Sequence, residues 1–394
     1  MTKITFLNLG NQPLANNYLS KKNINKKEKK YQLNVCVDKK TNLVSIKKTF
    51  SSKTMFNNKY PYRSSMSKTM TKSFKTLAQY IKKKYKPNIV LEIGSNDGAF
   101  IKNFKKNKTI GIEPCSNIEK LTKKLNYNTF SDYWSKKLAK KILKKFGKVD
   151  LIYSANTISH IKNLNEVFNA INVVLNDEGI LIIEDPSLLE CIKRNTYDQF
   201  YNEHIYVFST IALENILKLH NLQIFKIEKL NIHGGSNRYF IKKSFSKRKI
   251  NNSVIFNKKK ENDYGLKKII TYRKFASRVK LSKIKLNKIL SKIKKDNQKI
   301  IGYGATAKST TILNYCNIGN TKIEYFLDTT KDKQNKYTPG TKIPILKYNN
   351  LIDDNIKYVF LGAWNFKNEI FKKEKVFIKR GGKFITHTPF PRII

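Results

Sequence analysis

Two glycine loops and a few histidines are where this sequence could do chemistry. In Leu91-Glu92-Ile93-Gly94-Ser95-Asn96-Asp97-Gly98, the short apolar run at 89–93 opens into a glycine turn. Glycine allows positive φ and lets the backbone approach a ligand closely. The loop lacks the Lys-Ser/Thr of a triphosphate loop, and G-x-G-x-x-G is absent, which weakens the nicotinamide alternative. Asp97 is a poor neighbour for a pyrophosphate and a better one for a cation. Glu113 follows Gly94 by nineteen residues, at the end of the next apolar run. An acidic side chain at that offset grips ribose hydroxyls in dinucleotide folds. S-adenosylmethionine, with an ammonium, a sulfonium and a ribose, suits both features. Glu92-x-Gly94-x-x-x-Gly98 has the form of loops that hold it. The expected cofactor contacts are therefore Glu92, Gly94, Ser95, Asn96, Asp97, Gly98 and Glu113. The plainer alternative is a structural turn with an exposed glutamate.

The second loop, Gly302-Tyr303-Gly304-Ala305-Thr306-Ala307-Lys308-Ser309, opens a helix. A helix N-terminus can receive phosphate, and Lys308 adds a charge. A structural turn is again the alternative. Only five histidines occur. His204, in Tyr201-Asn202-Glu203-His204, lies past the apolar run at 179–184, where the crevice of a doubly wound sheet opens. An imidazole titrates near neutral pH and can take a proton from carbon next to a ketone. Asn156 and His160 are four residues apart after the fourth run and share a face if helical; a surface position is the alternative for His160. His233 precedes Gly234-Gly235, either a tight turn or a close approach to a ligand. His220 and His387 read as structural. Tyr62, Ser64 and Ser65 precede the first loop and could form a lid, although Tyr62 could equally be a core aromatic.

These residues need a scaffold. Apolar runs at 89–93, 109–112, 150–154 and 179–184 alternate with helical patterns at 72–83, 118–125, 135–146 and 165–175. That alternation predicts a parallel sheet with helices on both faces. Residues 1 to about 75 read as irregular, with short apolar runs. Residues 243–262 are polar and rich in Lys and Asn. A long helix is expected over 264–297, serving either interdomain packing or dimerisation. A second, smaller strand–glycine–helix unit follows from 299.

The chain has 394 residues and a formal net charge of +51, yet only eight of its 79 basic residues are Arg. The Lys residues run along the whole chain, with no zinc finger, RNP strand or basic zipper. The charge therefore reads as compositional bias rather than specific nucleic-acid binding. Four scattered cysteines form no C-x-x-C pair, which argues against a disulfide framework. The N-terminus reads as no signal peptide, and no apolar stretch is long enough to span a membrane. A cytoplasmic protein is expected.

The chain resembles the sugar C-methyltransferases of deoxysugar pathways. The stretches that carry the resemblance are LGNQPLANNYL, YPYRSSMSKTM, LEIGSNDGAF, GIEPCSNI, SANTISHIKNLNEVF, YDQFYNEHIYVFS, HGGSNR, GYGATAKSTTILNY, YTPGTKIPI and AWNFKNEI, in that order over essentially the whole chain. The resemblance implies an α/β fold with three parts: a small N-terminal domain (1–71) of zinc-binding type, a central Rossmann-like class I methyltransferase domain (72–242), and a C-terminal Rossmann-like substrate-binding domain (298–394), joined by a linker with a long helix (243–297). It implies C-methylation of a nucleotide-diphosphate-linked 4-keto-deoxysugar, at C3, using S-adenosylmethionine. His204 would be the base, Glu203 would orient it, and Tyr201 would hydrogen-bond the enolate oxygen. His160 and Asn156 would line the active site, and Tyr62 and Ser64 the cofactor. His233, Gly234, Gly235, Arg238 and Lys308 would bind substrate, with the diphosphate at Lys308. A sugar O- or N-methyltransferase and a non-catalytic binding protein stay open. A monomer is implied, with a dimer as the alternative.

The chain departs from the family at its N-terminus. Cys36 stands alone, with Lys39 where a C-x-x-C partner would be, and residues 1–10 hold no Cys. Tetrahedral zinc needs four ligands, so loss of the metal is expected.

Overall fold

The computed structural model describes residues 2–58 and 60–394. Its first element corrects the irregular reading of the N-terminus. Strands β1 (Lys3–Gln12), β2 (Tyr31–Asp38) and β3 (Val44–Ile46) form an antiparallel sheet. Leu7 and Leu9 flank the exposed Asn8, Leu33 and Val35 flank Asn34, and all four apolar residues are buried. That period of two is the strand signal.

The central sheet contains β4 (Val90–Ile93), β5 (Thr109–Ile112), β6 (Asn128–Phe130), β7 (Val149–Ala155) and β8 (Leu175–Pro186). The short strand β9 (Tyr206–Val207) leaves it and pairs with β3, so the N-terminal sheet is joined to the segment that carries His204. Strands β10 (Leu222–Leu230) and β11 (Ser236–Lys243) complete the central sheet in the order β10-β11-β8-β7-β4-β5-β6. Strands β4 to β8 are parallel, and β11 runs antiparallel between β8 and β10. Strand order reverses at β4, which lies between β5 and β7, and a crevice opens there at the carboxyl ends.

The helix expected over 72–83 spans Lys68–Lys84, because the Ser67 side chain caps it by accepting from Met70 N–H. The expected linker is also different. Residues 252–263 form a helix, Asn252–Asp263, packed against β10. Its Glu261 carboxylate accepts the N–H groups of Thr210 and Ile211 at 2.8 and 3.0 Å, at the start of the helix Thr210–Lys218. A turn with Gly265 at φ +85° separates it from the long helix Ile269–Lys295. Tyr272, Phe275, Val279, Leu286 and Leu290 of that helix share one core cluster with Leu7 and Leu9 of β1 and with Ile312 and Phe326 of the C-terminal domain. The helix is thus an interdomain spine.

The C-terminal sheet comprises β12 (Ile300–Tyr303), β13 (Phe326–Asp328), β14 (Lys336–Tyr337), β15 (Pro344–Lys347), β16 (Tyr358–Leu361), β17 (Lys383–Thr386) and β18 (Arg392–Ile393). Its order is β14-β15-β13-β12-β16-β17-β18, parallel except at its two edges. It therefore has its own switch point between β12 and β16. Among the described residues, no helix is long and apolar enough to cross a membrane.

Candidate active site

The two switch points face one cavity of about 1290 Å³, walled by all three domains. On the central domain, Gly94 sits at φ +75°, and a Cβ there would lie 2.2 Å from Thr157 Oγ1. Only glycine fits. Glu113 closes the loop from below: its carboxylate accepts Asn96 N–H at 3.0 Å and Cys115 N–H at 2.8 Å. One carboxylate oxygen of Glu92 is buried with no partner, and burial raises the Glu92 pKa well above the carboxylate range. An orphaned buried carboxylate beside a glycine cradle fits a cationic ligand. The residues present therefore suit S-adenosylmethionine, with Glu92, Gly94, Asn96 and Glu113 on the cavity wall.

The segment before the helix Lys68–Lys84 is latched onto this loop. Ser64 N–H and Oγ–H both donate to Asn96 Oδ1, at 2.9 and 3.0 Å, and Asn96 Nδ2 donates to the Tyr62 carbonyl at 3.2 Å. Tyr62 and Ser64 line the cavity. Asp97 is a correction. Its carboxylate accepts from Ser65 N–H and Oγ–H and from Ser64 Oγ–H, so it fastens this segment to the loop and does not line the cavity. Ser95 and Gly98 also lie off the wall; a Cβ on Gly98 would meet Thr122 at 2.9 Å.

His204 is 6% exposed. Its Nδ1 lies 2.8 Å from the Gln199 carbonyl and its Nε2 lies 2.7 Å from Tyr201 Oη. A carbonyl can only accept, so Nδ1 carries the proton and the Nε2 lone pair takes the Tyr201 hydroxyl. Burial, with the nearby charge of Lys308, pushes the His204 pKa well below its usual value, so the ring is neutral. Glu203 does not orient it, contrary to expectation. Its carboxylate turns away to accept from Asn16 Nδ2 at 2.7 Å and Tyr60 Oη at 3.3 Å, and burial raises its pKa to about 7. The orienting group is the Gln199 backbone. Its side chain also donates to the His233 carbonyl at 2.6 Å, tying the two histidine segments together.

His160 stacks on Phe56 at 5.5 Å and lies 4.9 Å from the His204 ring. It ends a 3-10 turn, Ile158–His160, rather than an α-helix, and burial lowers its pKa to about 4. Asn156, at φ +49°, precedes that turn on the cavity wall. His233 also lines the cavity; its Nε2 has no partner, and burial lowers its pKa to about 3. Gly234 and Gly235 serve packing: a Cβ on the first would lie 2.4 Å from Trp364, and on the second 2.8 Å from Glu190.

Lys308 stands in the first turn of the helix Ala307–Cys316, capped by Thr306. It lines the cavity with Nζ unpartnered. Arg238 is not there. It is buried on β11, bridging Glu184 at 2.6 Å and Glu228 at 2.8 Å, and its role is structural. Sequence reasoning missed Asn16, Tyr60 and Gln199. All three lie within the stretches that carry the family resemblance, but only the fold brings Asn16 and Tyr60 to Glu203.

Family models match in succession: a domain described as zinc binding at 1–56, a methyltransferase domain at 62–227 and a C-methyltransferase C-terminal domain at 231–389. The C-methyltransferase NovU of Streptomyces niveus is 27% identical over 393 residues, covering 98% of this chain and 93% of that protein. Among solved structures, the PH0226 protein of Pyrococcus horikoshii OT3 is 17% identical over 46% of this chain and 94% of that one, with a TM-score of 0.38. The plantazolicin methyltransferase BpumL in complex with SAH is 15% identical over 43% and 82%, with a TM-score of 0.34. Among the described residues, no group of three or more His, Cys, Asp or Glu could hold a metal ion. Cys36 is buried beside Thr5 Oγ1 at 3.6 Å. The residues do not fit a zinc site.

Proposed function

We propose that this chain, an S-adenosylmethionine-dependent C-methyltransferase, methylates the carbon beside the ketone of a nucleotide-diphosphate-linked 4-keto-deoxysugar, C3. The observation that carries the proposal is the neutral His204–Tyr201 pair on the wall of the cavity that also holds the Glu92–Gly94 loop. Carbon methylation needs a base for a C–H proton, which oxygen or nitrogen methylation does not.

S-adenosylmethionine supplies an electrophilic methyl group when bound. The chain's own part begins with His204. The Gln199 carbonyl fixes its tautomer, so Nε2 is the basic atom. Tyr201 occupies that lone pair, so its hydroxyl relays the proton: it takes the C–H proton as it gives its own to Nε2. His160, neutral and stacked on Phe56, shapes the floor without adding a competing charge. The latched lid of Tyr62 and Ser64 excludes water from the methyl donor. The central domain (72–242) holds the cofactor, the C-terminal domain (298–394) the nucleotide, and 1–71 the lid.

The test is mass spectrometry after incubation with S-adenosylmethionine and a panel of nucleotide-linked 4-keto-deoxysugars. A singly C-methylated product, lost when the ketone is first reduced to an alcohol, supports the proposal. Methylation that survives reduction contradicts it.

A further inference from the structure

Removing a proton beside a ketone moves an electron pair onto the ketone oxygen, and that oxygen needs a partner. Tyr201, the donor expected there, is engaged 2.7 Å from His204 Nε2. A cation lies in the same wall. Lys308 is 8% exposed, and its Nζ has no hydrogen-bond partner. The helix that carries it packs against the turn Tyr197–Gln199, whose last carbonyl holds His204. The Lys308 charge helps to depress both His204 and His233, so the ammonium is within electrostatic reach of both rings. Trp364 flanks it at 5.2 Å. Asp198 also faces it and draws its charge; its Oδ2 receives Trp364 Nε1–H at 2.5 Å, while its Oδ1, 3.4 Å from His387 Nε2, makes no hydrogen bond. Lys333, a half-buried lysine on this wall, is committed to Asp328 at 3.5 Å and to the Ala305 carbonyl at 2.8 Å. A buried ammonium with no hydrogen-bond partner is costly to keep. A single developing negative charge deep in the cavity suits it.

We propose that Lys308 is a catalytic residue that holds the ketone oxygen of the substrate and neutralises the enolate. The proposal rests on the ketone-adjacent C-methylation above. The C–H bond breaks and its proton goes to the Tyr201 oxygen, while the Tyr201 proton goes to His204 Nε2. The C–H pair becomes the C=C bond, and the carbonyl π pair moves to the oxygen beside Lys308. The ketone then re-forms as the enolate carbon bonds the methyl, and the S–CH3 pair stays on sulfur as S-adenosylhomocysteine leaves. Lys308 remains an ammonium throughout. This differs from anchoring the diphosphate, and the two roles separate by experiment.

The full-length chain, saturated with S-adenosylhomocysteine, is mixed in D2O with the 4-keto-deoxysugar nucleotide that the wild type methylates. Mass spectrometry reads deuterium uptake beside the ketone. Lys308→Met should cut the exchange rate at saturating substrate by about a hundredfold or more, with substrate Kd changed by less than about threefold. Lys308→Arg should restore part of the rate. Burial lowers the Lys308 pKa to about 8, so wild-type exchange should fall as pH rises through that value, with Lys308→Arg moving the limb upward. Retained stabilisation by S-adenosylhomocysteine certifies each variant's fold, and Lys308→Gln replaces Met if that variant fails. Exchange at the wild-type rate with a strongly weakened Kd would overturn the proposal and make Lys308 a phosphate anchor. A wild type that methylates without ever exchanging would instead overturn the ketone reading itself.

Discussion

At the scale of single residues, the chemistry rests on burial setting the charge states. His204, His160 and His233 are all driven toward the neutral form by desolvation first. A lowered histidine pKa means the folded protein refuses a proton that a free imidazole would take below pH 6.5. Imidazole 15N NMR of the folded chain, with His204 assigned by its absence in His204→Ala, should therefore show one protonated and one unprotonated nitrogen from pH 8 down to 5.5. Two protonated nitrogens at pH 6 would contradict the assignment. Tyr201→Phe removes the relay and leaves the base, so kcat should fall about a hundredfold or more, while binding of S-adenosylmethionine is unchanged by calorimetry. The glycine loop, Glu113 and His204 were legible because short-range chemistry dictates them. Asn16, Tyr60 and Gln199 were not. Asn16 meets Glu203 across 187 positions, and a pairing of that kind leaves no local trace. Glu203 illustrates the converse, since adjacency to His204 in sequence does not make the two side chains meet.

At the scale of elements, the lid and the buried β11 make opposite predictions. Ser64 is bonded to Asn96, which the Glu113 carboxylate also holds. Ser64→Ala removes the hydroxyl bond, worth about 0.5–1.5 kcal/mol, and should weaken S-adenosylmethionine by roughly two- to tenfold without changing the melting temperature. Arg238→Met leaves Glu184 buried and unpaired. It should cost about 3–5 kcal/mol of stability, read by denaturant titration, and leave the substrate KM alone. A raised KM with unchanged stability would return Arg238 to the substrate site. Sequence could not separate these cases, because the antiparallel insertion of β11 beside β8 is set by tertiary pairing. The helix Asn252–Asp263 was hidden for a related reason. It buries Val254 and leaves Ile255 and Phe256 exposed, so its apolar residues do not fall on one face. The parallel strands were legible because burial on both faces demands continuous apolar runs.

At the scale of the whole molecule, three domains meet at one cavity. The N-terminal sheet shares a core with the interdomain helix and the C-terminal domain, takes β9 as its fourth strand, and touches the C-terminal domain through the Leu19–Tyr337 pairing. Elemental analysis of the purified full-length chain should find no stoichiometric zinc, and a chelator should leave its melting temperature unchanged. One tightly held zinc per chain would contradict this reading. The most direct test of the central claim labels the proton that the Tyr201–His204 relay is proposed to remove. A nucleotide-linked 4-keto-deoxysugar carrying deuterium at C3 is incubated with S-adenosylmethionine and either the wild type or His204→Ala. The account predicts a wild-type product that has gained a methyl group and lost the deuterium, and a variant rate lower by about 10²–10⁴. A methylated product that keeps its deuterium, or a variant that works at the wild-type rate, would contradict it.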